Sequence, residues 1–156
     1  MEQGEVKPTE AISRYHVGKA YGETVKLAIL SPHYEGRETM AFLPLSMLMG
    51  FSVELLLKAW LLQSGMNSKD VRSFGHDLAK LYAAATKSGL ESNPAIDELV
   101  DVLAGPHQDF TYRYVTGEET YVALGWFGAL NTWDALQTAV DEFVGASASL
   151  GLVPGH

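Results

Sequence analysis

The sequence predicts an all-α fold, a four- to five-helix antiparallel bundle built as a single domain over residues 1–156. Five segments place apolar residues at helical spacing, and the short connections between them favour antiparallel neighbours. Only residues 110–114 alternate like a strand, and no second strand pattern exists to pair with them. Apolar residues make up 47% of the chain and charged residues 19%, which is typical of a globular domain. A polar N-terminal tail is expected at about residues 1–8, and a disordered C-terminal tail at about residues 151–156.

The first two helices are predicted over about residues 9–30 and 39–64. In the first, Gly18 and Gly22 would let another backbone approach closely; glycine costs a helix roughly 1 kcal/mol relative to alanine, so this helix needs packing partners. The second helix is almost entirely apolar and is expected to bend at Pro44. Its longest uncharged run, 15 residues, is shorter than a membrane span requires, so we expect a buried core helix.

The remaining helices are predicted from their end signals. The third covers about residues 76–87, and the fourth starts at Asn93-Pro94, a cap followed by proline at the first helical position. Gly105-Pro106 is expected to interrupt the fourth helix. The segment FTYRY that follows could be a strand or a resumed helix. The last helix is expected to start near Asn131, whose side chain can cap it.

Composition excludes several classes of protein. Eleven basic and nineteen acidic residues give a net charge of −8, which disfavours RNA as a ligand because an acidic surface repels phosphate. The chain has no cysteine, and its acidic N-terminal segment is unlike a secretory signal, so a cytoplasmic protein outside the membrane is expected. Phosphate-binding glycine loops, HExxH and GxSxG are missing, and the five histidines are dispersed. We therefore expect no cofactor and no metal site.

Two pairs of polar residues carry most of the interpretable chemistry. Glu54 and Lys58 stand one helical turn apart on the apolar second helix, in the acid-before-base order that favours an ion pair. The pair is either purely structural or orients a polar site between helices. His76 and Asp77 open the third helix, where the acid favours the helix dipole and the histidine either caps the helix or acts as an acid or base.

Further candidates lie in the C-terminal half. Arg113 could clamp a phosphate or carboxylate, or form an internal salt bridge, and Tyr114 could stack on a base or pack into the core. His107 is a candidate base beside them. The hydrophobic loop YVALGWFGAL presents Trp126 and Phe127, which either cover the core or form a subunit interface.

Three motifs together resemble a known family. FSVELLLKAWLLQSG, then GHDLAKLYAAA, and FTYRY about 25 residues further on resemble the HEPN superfamily of small helical bundles, over roughly residues 42–115. The resemblance implies a HEPN-like bundle that commonly forms a homodimer. Many members are ribonucleases in toxin–antitoxin, abortive-infection and RNA-processing systems, and many toxins are encoded beside a minimal nucleotidyltransferase. Other members only bind.

The ribonuclease signature of the family is not matched. It consists of arginine followed after four to six residues by histidine, but Arg113 is followed by YVTGEETYV. Arg72 and His76 are separated by only three residues, and His107 precedes Arg113. The resemblance therefore implies a catalytically degenerate binding or regulatory domain in a toxin–antitoxin or defence module, with a nucleotidyltransferase-type partner or RNA.

Two alternatives stay open. One is a metal-independent endoribonuclease with a rearranged site, in which Arg113 clamps the phosphate and His76 or His107 is the base. The other is a plain dimeric scaffold whose polar residues only fix the register of the helices.

Overall fold

The computed structural model describes residues 8–112, 114, 117 and 122–156, and over these residues the protein is helical without any strand. The predicted all-α class is therefore confirmed. The described residues form six helices, one more than the largest number predicted, because a short helix precedes the third predicted one. They are α1 (Glu10–Leu30), α2 (Glu38–Gln63), α3 (Ser68–Ser73), α4 (Leu78–Lys87), α5 (Pro94–Gln108) and α6 (Trp126–Val144), followed by a 3-10 turn at Ala148–Leu150.

Helix α2 is the centre of the fold and packs against α1, α4, α5 and α6. The two glycines of α1 make this packing close, as predicted. A Cβ atom at Gly18 would lie 3.1–3.2 Å from atoms of Leu55, Leu56 and Ser52, so the backbones of α1 and α2 nearly touch there. A Cβ atom at Gly22 would overlap the indole of Trp133 on α6.

Helix α2 is also long and apolar enough to cross a membrane by length and composition. Half of its most apolar 18-residue window is buried inside the domain. Core helices of soluble proteins pass the same test, and α2 carries a buried ion pair, Glu54 with Lys58. Its hydrophobicity is thus accounted for largely by its central position, and it is weak evidence for a membrane span.

The helix boundaries differ from the prediction in three places. Helix α6 begins at Trp126 and not near Asn131. Its N-cap residue, Gly125, makes no side-chain capping hydrogen bond, so the sequence has no cap signal at that position. Helix α5 continues through Pro106 to Gln108, and the bond from the Asp109 N–H to the Gly105 carbonyl resumes the helical pattern at 3.1 Å. Helix α3, capped by the side chain of Asn67, was not predicted.

The described residues of the segment 110–114 form neither of the two structures considered, a strand or a resumed helix. Its described residues form turns after α5, and Phe110 adopts a positive φ of 54°. Tyr112 is 8% exposed and so belongs to the interior. Arg113, the fourth residue of the segment, lies outside the described residues.

The C-terminal residues 151–156 are anchored and do not form the free tail that the sequence predicted. The buried carboxylate of Asp141 on α6 accepts hydrogen bonds from the Gly155 N–H at 2.7 Å and from the Ser147 N–H at 2.8 Å. The hydroxyls of Ser147 and Tyr15 complete its shell at 2.6 and 2.8 Å. A buried charge needs such partners, and the C-terminal backbone supplies one of them.

Candidate functional site

Glu54 is the centre of a polar cluster inside the helical core. Its side chain is 5% exposed, and its Oε1 atom lies 2.6 Å from the ammonium of Lys58, one turn further along α2. Lys58 also donates to the carbonyl of Gly75 at 2.8 Å. The ion pair of α2 therefore holds the connection between α3 and α4 against the central helix.

The other carboxylate oxygen of Glu54 is shared by two histidines. His76 Nδ1 lies 2.8 Å from Oε2, and His107 Nε2 lies 2.6 Å from the same atom. His76 belongs to the connection before α4, whereas His107 lies in the last turn of α5. One carboxylate thus joins α2 to two other parts of the chain.

The protonation of Glu54 follows from its partners. Burial alone would raise its pKa, but hydrogen bonds from His107, Lys58 and His76 outweigh burial and lower the pKa to about 2. An ionised carboxylate only accepts hydrogen bonds, so both histidine nitrogens must donate. In a neutral His76 the proton is on Nδ1, which leaves Nε2 as the basic nitrogen.

Aromatic rings surround the two histidines. The ring of Phe51 meets His107 edge-on with centroids 4.9 Å apart, and Phe110 meets His76 in the same manner at 4.8 Å. Gly50 makes room for His107, because a Cβ atom there would lie 2.5 Å from Nδ1 of the ring. His107 is 2% exposed and His76 is 39% exposed, so His76 is the accessible histidine of the cluster.

Four of the seven candidate polar residues meet in this cluster, namely Glu54, Lys58, His76 and His107. Asp77 instead caps α4: its Oδ1 accepts from the Lys80 N–H at 3.0 Å, and its Oδ2 lies 3.3 Å from the Lys80 ammonium. Of the two residues in the His76-Asp77 pair, Asp77 therefore has the structural role of capping α4, and His76 belongs to the polar cluster.

Of the last two polar candidates, Tyr114 is 65% exposed, and Arg113 lies outside the described residues. The two candidate interface residues also separate. Trp126 is 9% exposed and belongs to the core, whereas Phe127 is 72% exposed at the start of α6.

Gly50, Phe51 and the carbonyl of Gly75 were not singled out from the sequence as parts of the site. A signal existed for Gly50, because a glycine inside an apolar helix often marks a close approach, and it stands one turn before Glu54. No local signal identifies a backbone carbonyl as the partner of Lys58, since any residue could supply it.

Chemically, the cluster offers one fixed imidazole with an accessible edge and three atoms that could bind a cation. Glu54, His76 and His107 each offer one ligand atom, and the three atoms lie within 4.8 Å of one another. The Glu54–His76 contact also has the form of a carboxylate that orients a histidine for proton transfer.

Comparison with known proteins leaves the family open. No family model, no curated protein and no solved structure matches this chain. Membership of the HEPN superfamily therefore stays a prediction from the sequence motifs.

Proposed function

We propose that this chain is a HEPN-like helical domain of the cytoplasm that acts by binding a protein partner and does not catalyse a reaction. The observation that carries the proposal is that both side chains of the central ion pair, Glu54 and Lys58, are buried and bonded to groups of the protein itself. Lys58, with 8% of its side chain exposed, binds Glu54 and the Gly75 carbonyl, so it is not available to a substrate phosphate. RNA cleavage needs an accessible cation near the base, and the described part of this cluster has none.

The cluster then holds α2, α5 and the connection before α4 in one arrangement. A buried polar group with all its partners present favours one packing over its alternatives. The surface that these elements present would be kept in a fixed shape for a partner.

A protein partner is favoured over RNA by charge and by exposed apolar surface. The net charge of −8 repels a phosphate backbone. Phe127 and Val122 are 72% and 66% exposed, on either side of the start of α6. Exposed aromatic residues of this kind are enriched at protein interfaces.

We also propose that the chain forms a homodimer through the exposed apolar surface formed by Phe127 and Val122 at the start of α6. Sedimentation analysis of the wild type should give a dimer, and Phe127→Glu should give a monomer. Leu150→Glu is the matched control, because Leu150 is 65% exposed beyond the opposite end of α6 and should leave the dimer intact. A monomeric wild type would contradict the homodimer.

The binding role is tested with the protein encoded by the neighbouring gene. We expect a stable complex by gel filtration and no cleavage of single-stranded RNA or tRNA. Cleavage in the presence of a chelator that is abolished by His76→Ala, and retained by His33→Ala at an exposed site elsewhere, would overturn the proposal.

That outcome would establish the second candidate, a metal-independent endoribonuclease. It is favoured by the Glu54–His76 contact, which leaves Nε2 of a partly exposed histidine to take a proton from a ribose 2′-hydroxyl. His107 is buried and so is the weaker candidate for the base. In this reading Arg113 would supply the phosphate clamp.

A further inference from the structure

We propose that Glu54, His76 and His107 form a binding site for one divalent transition-metal ion of the zinc class. Three potential ligand atoms, one carboxylate oxygen and two imidazole nitrogens, lie within 4.8 Å of one another. This donor set is one that proteins use for Zn²⁺ and for Fe²⁺. Mg²⁺ and Ca²⁺ prefer oxygen ligands and are not expected to bind.

The present distances are close to those of a metal site. Glu54 Oε2 lies 2.8 Å from His76 Nδ1 and 2.6 Å from His107 Nε2. A tetrahedral ion with bonds of about 2.0–2.2 Å would separate its ligand atoms by about 3.3–3.6 Å. The contacts would therefore lengthen by roughly 0.5–1 Å. His76 lies outside the helices, in the connection before α4.

Metal binding would replace the hydrogen bonds that both histidines donate to Glu54. In each neutral imidazole the proton would pass to the other ring nitrogen, and metal-bound histidines usually donate that N–H to an acceptor. The buried hydroxyl of Ser46 has no partner among the described residues and lies one turn before Gly50, where a Cβ atom would lie 2.5 Å from His107 Nδ1. It is a candidate for this acceptor.

Lys58 sets the limit on affinity. Its positive charge opposes a second cation, so we expect weaker binding than at a similar site without a lysine. The ammonium lies 2.6 Å from Oε1, however, and the histidines bond to Oε2. A ligating carboxylate is commonly hydrogen-bonded through its other oxygen, which is the position that Lys58 holds.

The metal site would be reachable from solvent on one side and shielded by aromatic rings. The partly exposed side of His76 gives the ion a route to the site. Phe51 and Phe110 shield the histidines and would lower the local dielectric constant. The site departs from the expectation of no metal because His76 and His107 are 22 and 53 residues from Glu54 and meet only in the fold.

The test is a titration of the full chain, first treated with chelator, with ZnCl₂ by calorimetry and with CoCl₂ by visible absorption. We expect one equivalent of each ion to bind, and MgCl₂ to give no signal. His76→Ala and His107→Ala should each weaken binding by more than about 100-fold, since even the loss of an outer-shell partner costs 10–100-fold. His33→Ala, at an exposed position between α1 and α2, should bind as the wild type does.

A wild-type protein that binds neither Zn²⁺ nor Co²⁺ would overturn the proposal, and so would unchanged binding in His76→Ala. If His107→Ala does not fold, His76→Ala decides the matter, because its partly exposed side chain lies outside the helices. Metal binding does not depend on the protein partner, so this proposal and the proposed binding role can fail separately.

Discussion

The imidazole of His107 donates a 2.6 Å hydrogen bond to the carboxylate of Glu54 across 53 residues of sequence. Both side chains are almost completely buried, at 2% and 5% exposure. A buried carboxylate is costly unless it is paired, and Glu54 is paired three times, with His76 and Lys58 as its further donors. Its removal should therefore disturb α2, α5 and the connection before α4 together.

Glu54→Gln should lower the free energy of unfolding by about 3–5 kcal/mol, because Lys58 would stay buried without its counter-charge. The measurement is urea denaturation at neutral pH. Glu10→Gln is the matched control: Glu10 and Arg14 form the same i,i+4 pair at an exposed position, where we expect a loss of no more than about 1 kcal/mol. Equal losses in the two variants would contradict the importance of burial.

The stability contributed by Glu54 should disappear in acid. Its pKa falls from the ordinary 4.5 to about 2 in the folded protein, so the contribution is complete above pH 4.5 and is lost as the pH falls towards 2. Its size is about 3 kcal/mol, from 1.36 kcal/mol for each unit of pKa. The difference in unfolding free energy between wild type and Glu54→Gln should shrink by about this amount between pH 5.5 and 2.5.

The comparison with Glu54→Gln is needed because a second carboxylate acts in the same direction. Burial would raise the pKa of Asp141, but the hydrogen bonds from Ser147, Gly155 and Tyr15 lower it overall. Asp141 is present in both proteins, so its effect cancels in the difference. A difference that stays constant over the pH range would show that Glu54 does not titrate there.

Local patterns predicted the parts of the cluster that lie close together in the sequence. The spacing of Glu54 and Lys58 on an apolar helix indicated an ion pair, and the pair is present and buried. The meeting of His107 with Glu54 had no such signal. It depends on how α5 crosses α2, which is set by the packing of many side chains and not by any local spacing.

The glycines and the start of α6 show the same division. Gly18 and Gly22 indicated a close approach, but not that Trp133 would fill the space at Gly22. Asn131 has the side chain of a good cap and yet lies inside α6, because burial of Trp126 in the core extends the helix towards its N-terminus. Tertiary contacts outweighed the local cap signal there.

Gly22→Ala should destabilise the protein by about 1–3 kcal/mol, because the added methyl group overlaps the buried indole of Trp133. The indole cannot move freely, since its N–H donates to the hydroxyl of Ser52 at 2.7 Å. Gly128→Ala is the control: this helical glycine has open space around it, and alanine should stabilise α6 by up to about 1 kcal/mol. Thermal unfolding should show a lower melting temperature for Gly22→Ala and a higher one for Gly128→Ala. A stabilising Gly22→Ala would contradict the close packing.

Tyr15→Phe should loosen the anchoring of the C-terminal residues. The Tyr15 hydroxyl lies 2.8 Å from Asp141 and 2.9 Å from Gln137 in the interior, and burial, with the hydrogen bond to Asp141, raises the pKa of Tyr15 so that it stays a donor. Its loss leaves a buried carboxylate short of one partner, at a cost of about 1–3 kcal/mol. Amide exchange at Gly155, whose N–H shares the same Asp141 oxygen, should become faster.

Tyr82→Phe separates the effect of burial from that of losing any tyrosine hydroxyl. The Tyr82 hydroxyl donates to Asp97 at 2.7 Å near the surface, and burial, together with Asp97, raises the pKa of Tyr82 to about 12. Water can replace that bond, so we expect a loss below about 1 kcal/mol and unchanged exchange at Gly155. Equal losses in the two variants, or an unchanged Gly155 exchange rate in Tyr15→Phe, would mean that Ser147 and the backbone hold Asp141 without help from α1.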